Sequence, residues 1–155
     1  MLFRSANGVS VFSGKALGNK NKVLLEKTLK IGLICLFIFI FFISIISFWG
    51  RSYFISMMTN LTEIYMYANE YSFYIILHPI FAGVGLLLYG MYTGVGQTSS
   101  IRNMMFVAVI FFYVCQNILM NLYGNNGIWL TYILTYLLES IILVLYLPIL
   151  KRKFE

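Results

Sequence analysis

The chain has 155 residues, of which 61% are hydrophobic and only 10% are charged. This composition excludes an ordinary soluble domain and is typical of an integral membrane protein. The net charge of +6 is less informative than the positions of the basic residues. With one histidine and two isolated cysteines, the sequence contains no metal-ligand cluster, catalytic constellation or phosphate-binding loop, so it indicates neither an enzyme nor a cofactor.

The N-terminal part predicts one membrane crossing with a short segment before it. Residues 1–13 carry little charge, and we interpret them as the end of a preceding transmembrane helix. A polar, lysine-rich loop is expected at 14–22, followed by the uncharged run Ile31–Trp49. A helix of about 19 residues rises roughly 30 Å, the thickness of a bilayer core. The loop lysines favour contact with anionic lipid at one membrane face over a nucleic-acid partner.

Three further apolar spans are predicted, at about 71–92, 104–122 and 128–147. Asn60 followed three positions later by Glu63 is typical of a helix N-cap, so we expect a helix from about Leu61 that runs directly into the second span. Pro79 removes a helix hydrogen bond within that span. The predicted fold class is therefore all-α integral membrane, with four transmembrane helices and the end of a preceding one.

The basic residues alternate between the connections and so predict the topology. One group precedes the first span, a single arginine lies between the second and third spans, and another group follows the fourth: Lys15, Lys20, Lys22, Lys27, Lys30, Arg102, Lys151, Arg152 and Lys153. The connections between these contain only Arg51. By the positive-inside rule, the N-terminal loop and the C-terminus are expected in the cytoplasm.

Polar and small residues mark where helices meet, because lipid supplies no hydrophobic drive for helix association. Such residues recur at helical spacing in the last three spans: Tyr71, Tyr74, His78, Ala82, Gly85, Tyr89 and Tyr92, then Tyr113, Gln116, Asn117 and Met120, then Tyr132, Thr135, Tyr136, Glu139 and Leu143. Gly90 and Gly94 add a small-xxx-small pair. The first span has few polar residues, so we expect it at the periphery.

Glu139 is the strongest candidate for a functional residue. It falls near the middle of the fourth span, where a carboxylate costs about 2.5–3.5 kcal/mol to insert. One interpretation is a group that couples transport to a proton or cation. The other is a protonated carboxyl hydrogen-bonded to a neighbouring helix.

The remaining candidate ligands are His78, Tyr89, Tyr136, Gln116 and Asn117. His78 either contacts a proton or substrate beside Pro79 or hydrogen-bonds the backbone carbonyls that the proline frees. The tyrosines either stack against aromatic or cationic ligands or pack between helices. The two amides of the third span are equally compatible with interhelical hydrogen bonds.

Three stretches together resemble a known family. They are 5–21, which contains SGKALGNKN, 88–105, which contains LYGMYTG and SIRNMM, and 124–130, GNNGIWL. In their order and spacing they resemble the C-terminal part of a multidrug and toxic compound extrusion (MATE) transporter, of the DinF-type branch. The resemblance implies twelve helices in two lobes, of which the four spans would be helices nine to twelve.

The resemblance also implies a function, an antiporter that exports organic cations or other drugs in exchange for H⁺ or Na⁺ from a bacterial cytoplasmic membrane. The expected partners are membrane lipids, an N-terminal lobe outside this chain and small organic or cationic substrates. Two positions depart from the DinF-type pattern, because Tyr89 stands where an acid precedes the glycine and Glu139 stands where a basic residue is usual. These departures weaken any transfer of the family's coupling site to this lobe.

Two alternatives remain open. A lipid-linked oligosaccharide flippase of the same superfamily would share the scaffold, but it is expected to hold phosphates with basic residues facing its cavity. The predicted spans contain no lysine or arginine. A small four-helix membrane protein with a structural or partner-binding role is the second alternative.

Overall fold

The computed structural model describes the backbone of residues 2–152 and the side chains from Ala6 to Arg152. Within this range the chain forms five α-helices and no strand: α1 (Leu2–Gly18), α2 (Lys22–Met58), α3 (Thr62–Gly94), α4 (Thr98–Tyr123) and α5 (Asn125–Lys151). Helices α2 to α5 are long and apolar enough to cross a membrane. This confirms the all-α membrane fold with four membrane-length helices after a shorter one. Met1 and Lys153 lie outside the described residues.

The helices extend past the apolar runs that identified them. The run Ile31–Trp49 is only the middle of α2, which has 37 residues, and α3 has 33 residues. The apolar run is limited by the thickness of the bilayer, but a helix satisfies its own backbone hydrogen bonds and can continue into the interface. Hydropathy therefore located each helix but not its ends.

The predicted loop at 14–22 is wrong over most of its length, because only Asn19–Asn21 separates α1 from α2. The Asn21 amide donates to the Ala16 carbonyl and the Lys20 amide to the Leu17 carbonyl, both at 2.9 Å. With Lys20 at φ 48°, these two bonds close the helix in a Schellman motif. The Asn21 side chain then accepts from the Leu24 amide at 2.9 Å and caps α2. The polar residues thus end one helix and begin the next.

Helix α3 starts where the sequence predicted it, but Asn60 is not the residue that caps it. The helix begins at Thr62 and continues without interruption through Pro79 to Gly94. Asn60 does not cap it; the cap position is Leu61, which makes no side-chain hydrogen bond there. Instead, the Thr59 hydroxyl accepts from the Leu61 amide at 3.2 Å. The chain therefore turns between α2 and α3 without a conventional N-cap.

Helix α3 is at the centre of the packing. It contacts α1, α2 and α5, whereas α4 packs almost entirely against α5 and barely touches α3. Leu36 and Ile40 of α2 lie against Gly83 of α3. The first membrane helix is consequently in contact with the centre of the bundle, and α4 is the most exposed of the four membrane-length helices.

Helices α1 and α3 run parallel and approach until their backbones touch. A Cβ added at Gly90 would collide with the backbone of Ala6, and one added at Gly94 would collide with the backbone of Ser10. A Cβ at Gly14 would lie 3.0 Å from the Gly94 carbonyl oxygen. The small residues of α1 are spaced four apart, as are the two glycines of α3, so each helix presents a small-xxx-small face to the other.

Helices α3 and α5 are joined by hydrogen bonds to backbone carbonyls. The Tyr92 hydroxyl donates to the Leu143 carbonyl at 2.7 Å, and both residues are fully buried. Farther along, Ser140 Oγ lies 3.2 Å from the Phe81 carbonyl oxygen of α3. The same Oγ lies 2.9 Å from the carbonyl oxygen of Tyr136 in its own helix. The single hydroxyl hydrogen can therefore be donated either to α3 or within α5.

The lysine-rich end of the bundle is held by an ion pair between the start of α2 and the end of α5. Lys151 Nζ donates to Glu26 Oε1 at 2.9 Å, on the polar side of the apolar run that starts at Ile31. This hydrogen bond holds the pKa of the Glu26 carboxyl below its ordinary value. Both side chains are about half exposed, so solvent screening keeps the stabilisation small. The contact nevertheless places the two helix ends at the same face of the bundle.

A glycine substitution tests the close approach of α1 and α3. We expect Gly90→Ala to lower the free energy of unfolding of the purified chain in detergent by about 1–3 kcal/mol, because the added methyl must separate two backbones. Gly8→Ala is the matched control, since a Cβ at Gly8 meets nothing within 4 Å. Equal unfolding midpoints for the two variants, measured by circular dichroism during titration with sodium dodecyl sulfate, would contradict the packing.

A second substitution tests the buried hydroxyl between α3 and α5. We expect Tyr92→Phe to destabilise the chain by about 0.5–1.5 kcal/mol, since it removes one hydrogen bond and keeps the ring. Tyr113→Phe on the exposed face of α4 should leave the unfolding midpoint unchanged, because Tyr113 is 70% exposed. A midpoint for Tyr92→Phe that matches this control would mean that the bond contributes nothing to stability.

Candidate functional site

A cavity of about 520 Å³ opens among α2, α3, α4 and α5. The cavity forms because α4 packs against α5 and has little contact with α3, which leaves a gap between α3 and α4. Four side chains with ionisable or hydroxyl groups line it: His78, Tyr89, Tyr136 and Glu139. Apolar and small residues complete the wall: Phe39, Ile43, Ala82, Gly85, Leu86, Met104 and Met105. A mostly apolar cavity with a few convergent polar groups is the usual form of a small-molecule site.

Glu139 lies at the middle of α5, partly buried, with its side chain on the cavity. Among residues 2–152, no hydrogen bond or ion pair to its carboxyl is present. A hydrogen bond to a neighbouring helix, which was one of the two sequence interpretations, is therefore not observed within the described chain. Glu139 also lines a smaller cavity of about 350 Å³ between α4 and α5, so its carboxyl is accessible from two sides.

His78 and Tyr136 face each other across α3 and α5. Their ring centroids are 4.8 Å apart with the planes at 84°, an edge-to-face contact. No hydrogen bond from His78 to a backbone carbonyl occurs among the described residues. The histidine thus packs on the tyrosine at the cavity wall, although Pro79 follows it directly.

The packing of Gly85 against Ser140 places Glu139 next to α3. A Cβ at Gly85 would lie 2.8 Å from Ser140 Oγ and 3.7 Å from the Ser140 backbone nitrogen, so a larger residue there would require the Ser140 side chain to move. Because Ser140 follows Glu139 in the chain, this contact brings the Glu139 segment of α5 close to α3. The sequence stripe included Gly85 but gave no sign of its partner Ser140.

A stacked aromatic group extends the cavity wall away from Glu139. The Trp129 ring lies 6.0 Å from Tyr71 and 6.1 Å from Tyr74, with interplanar angles of 20° and 12°. The Tyr74 hydroxyl donates to Asn126 Oδ1 at 3.1 Å, which holds α3 to the start of α5. A neighbouring cavity of about 490 Å³ runs along these rings and shares His78 and Tyr136 with the first one.

Gln116 and Asn117 are not part of this arrangement. Both lie on α4, and neither lines the cavity. Asn117 is exposed, and its Nδ2 donates to the Tyr113 carbonyl of its own helix at 2.8 Å. The polar stripe of the third span therefore faces outward, because α4 packs on α5 through a different face that includes Met104 and Ala108.

The site also contains residues that the sequence did not suggest. Phe39 and Ile43 come from α2, the helix that we expected at the periphery, and Met104 and Met105 come from the start of α4. Apolar side chains in a membrane helix carry no local signal that separates a cavity wall from a lipid-facing surface. Only the packing of α2 against α3 decides which of them point inward.

The arrangement of these side chains is suited to binding a ligand. A carboxylate beside aromatic faces suits a desolvated cation, through charge pairing and cation–π attraction. Among the described residues there is no group of three histidine, cysteine or acidic side chains that would hold a metal ion.

Comparison with known families agrees with a membrane protein. The MatE family model matches residues 1–121, which is most of the chain and includes α1, α2, α3 and nearly all of α4. No curated protein and no solved structure gives a match. The length of the family match, over a multi-pass helical fold, shows that the chain belongs to the MatE family of membrane transporters.

Proposed function

We propose that this chain is the cation-binding part of a secondary active exporter, in which Glu139 exchanges an organic cation for H⁺ or Na⁺. The observation that carries the proposal is the convergence of Glu139, His78, Tyr89 and Tyr136 on one cavity at membrane depth. Four of the six residues singled out in the sequence meet there, although they come from two different helices. The MatE family match supports transport as the activity.

Competition for one carboxylate would provide the exchange. A cavity with one acidic group in a low-dielectric surrounding neutralises one positive charge well and two poorly. An organic cation and a coupling ion would therefore exclude each other at Glu139. Binding of one would release the other, which is the requirement for antiport.

The lining of the cavity favours a cation over an anionic lipid-linked sugar. No lysine or arginine lines it within the described chain. A flippase must neutralise the phosphates of its substrate, and this cavity offers a carboxylate and phenol groups instead. Drug or organic-cation export accordingly remains the better proposal, and an N-terminal lobe is proposed as the partner that completes the transport path.

The DinF-type branch is also a proposal, supported by the LYGMYTG stretch, which includes Gly90 and Gly94. Tyr89 and Glu139, the two departures from the branch pattern, line the same cavity. Relatives with an acid at the first position and a base at the second would have the opposite arrangement of charge there. We infer that this chain has moved its acidic group from α3 to α5.

A test of topology uses single cysteines in a Cys35→Ser, Cys115→Ser background. We propose a bacterial cytoplasmic membrane with the lysine-rich end of the bundle in the cytoplasm. Asn125→Cys, at the exposed first residue of α5, should then react with a membrane-impermeant maleimide in intact cells. Asn19→Cys, between α1 and α2, should react only after the cells are opened. The reverse pattern would invert the proposed orientation.

A test of function uses tetraphenylphosphonium as the probe cation. We expect Glu139→Gln to weaken its binding to the purified chain by about ten-fold or more, because Glu139 is the one acidic residue among the described residues that line the cavity. Binding should also lose its dependence on pH and on Na⁺ in this variant. Equilibrium dialysis with radiolabelled probe measures both effects.

Glu70→Gln is the matched control, since Glu70 is an exposed acid on α3 outside the cavity. It should bind the probe as the unchanged chain does. If Glu139→Gln retains the affinity and the pH dependence, Glu139 is not the coupling group. Antiport itself would be rejected if proteoliposomes transport the probe at a rate that does not change with an imposed proton or sodium gradient.

A further inference from the structure

The hairpin formed by the end of α2 and the start of α3 encloses a cavity together with the start of α5. Ser47 and Arg51 of α2, Tyr71 of α3 and Trp129 of α5 all line it. From Arg51, α2 continues to Met58, and α3 begins at Thr62, ahead of Tyr71. At 1.5 Å per residue, Met58 lies roughly 10 Å along α2 from Arg51.

This cavity is a groove of about 740 Å³, and we call it the Arg51 groove. Its wall is mostly apolar, with side chains from three helices: Phe54, Ile55, Met58, Ile64, Tyr67, Ala68, Tyr71, Ile75, Ile76 and Trp129. The few polar groups are those of Ser47, Arg51, Ser72 and Asn125. The groove is separate from the Glu139 cavity, with which it shares no lining residue.

Arg51 has no anionic partner in the described chain. Its guanidinium lies 5.7 Å from the centroid of the Phe48 ring, and no carboxylate within residues 2–152 forms an ion pair with it. Glu63 and Glu70, the acids of the same hairpin, are exposed and stand apart. A guanidinium is always charged and favours a phosphate, with which its planar fork forms paired hydrogen bonds.

The position of Arg51 places this charge at the edge of the membrane. It ends the uncharged stretch of α2 that begins at Ile31, and Tyr67, Tyr71 and Trp129 lie around the groove at the same end. Tyrosine and tryptophan concentrate at the membrane interface, at the level of the lipid headgroups. Beside the groove, Trp49 is 84% exposed and Met58 is 88% exposed, so the apolar wall continues into the lipid-facing surface.

We propose that the Arg51 groove is a binding site for an anionic phospholipid. The phosphate pairs with Arg51, and an acyl chain occupies the apolar wall below the hairpin. An amphipathic anion fits both parts of the groove, whereas Arg51 repels the organic cations proposed for the Glu139 cavity. The site does not depend on the proposed exchange at Glu139, and it would hold the hairpin between α2 and α3 to the bilayer surface.

Fluorescence of Trp129 tests this site directly. The chain has two tryptophans, so Trp49→Phe leaves Trp129, which lines the groove, as the single reporter. The Trp49→Phe chain is placed in phosphatidylcholine nanodiscs that contain increasing fractions of phosphatidylglycerol brominated on its acyl chains. Bromine quenches a tryptophan only at contact. We expect Trp129 to be quenched at lower fractions of brominated phosphatidylglycerol than of brominated phosphatidylcholine.

Charge variants separate a specific site from ordinary lipid contact. Arg51→Gln should reduce the relative affinity for brominated phosphatidylglycerol by about five-fold, the contribution expected of one basic residue near an anionic lipid. Arg51→Lys should retain most of the preference because it keeps the positive charge, and an unchanged circular dichroism spectrum of Arg51→Gln checks that the neutral variant is folded. Arg102→Gln, which removes an exposed arginine at the other end of the bundle, should retain all of it.

Two results would overturn the proposal. Equal quenching by the two brominated lipids, or a preference that survives Arg51→Gln, would mean that Arg51 selects no headgroup. Absence of quenching by either lipid would mean that polypeptide, rather than lipid, covers the groove.

Discussion

The close approach of helices to α3 is the constraint on which the rest of the structure depends. Lipid does not force apolar helices together, so they associate where small residues allow backbones to meet. Glycines of α3 allow close contacts on several sides: Gly83 lies against α2, Gly85 lies against Ser140 of α5, and Gly90 and Gly94 lie against the backbone of α1. A larger residue at Gly90 or Gly94 would have to displace the backbone of α1, whereas one at Gly83 or Gly85 would first meet the ends of side chains.

The cavity also depends on the weak contact between α3 and α4. Helix α3 offers α4 no glycine contact among the described residues. Helix α4 instead joins the bundle through α5, partly because Gly127 lets the start of α5 pack onto the end of α4. The resulting gap is lined by Glu139 and by Tyr89, while the Tyr92 hydroxyl and Ser140 hold α3 and α5 at a constant separation on one side of it. The binding groups are thus carried by two helices joined by these hydrogen bonds, and α4, which packs against α5, forms another wall of the site.

Much of the candidate site could be predicted because its polar residues repeat at helical spacing. His78 and Tyr89 belong to one face of α3, and Tyr136 and Glu139 belong to one face of α5, so the sequence identified both faces. The same reasoning failed for Gln116 and Asn117, which form an equally regular stripe on an exposed face of α4. Spacing shows which residues share a face of a helix, but it contains no information about which faces meet.

By itself, the sequence determined the number of membrane-length helices, their approximate positions, the family and the separation of basic residues into alternate connections. These features depend on the local cost of placing charge and unpaired backbone in lipid, which each segment experiences on its own. Only the tertiary structure decided that α3 is central, that α2 contributes Phe39 and Ile43 to the cavity, and that Arg51 lines a groove without an acidic partner among residues 2–152. These outcomes depend on contacts between residues far apart in the chain, such as Gly85 with Ser140, for which no local pattern gives a signal.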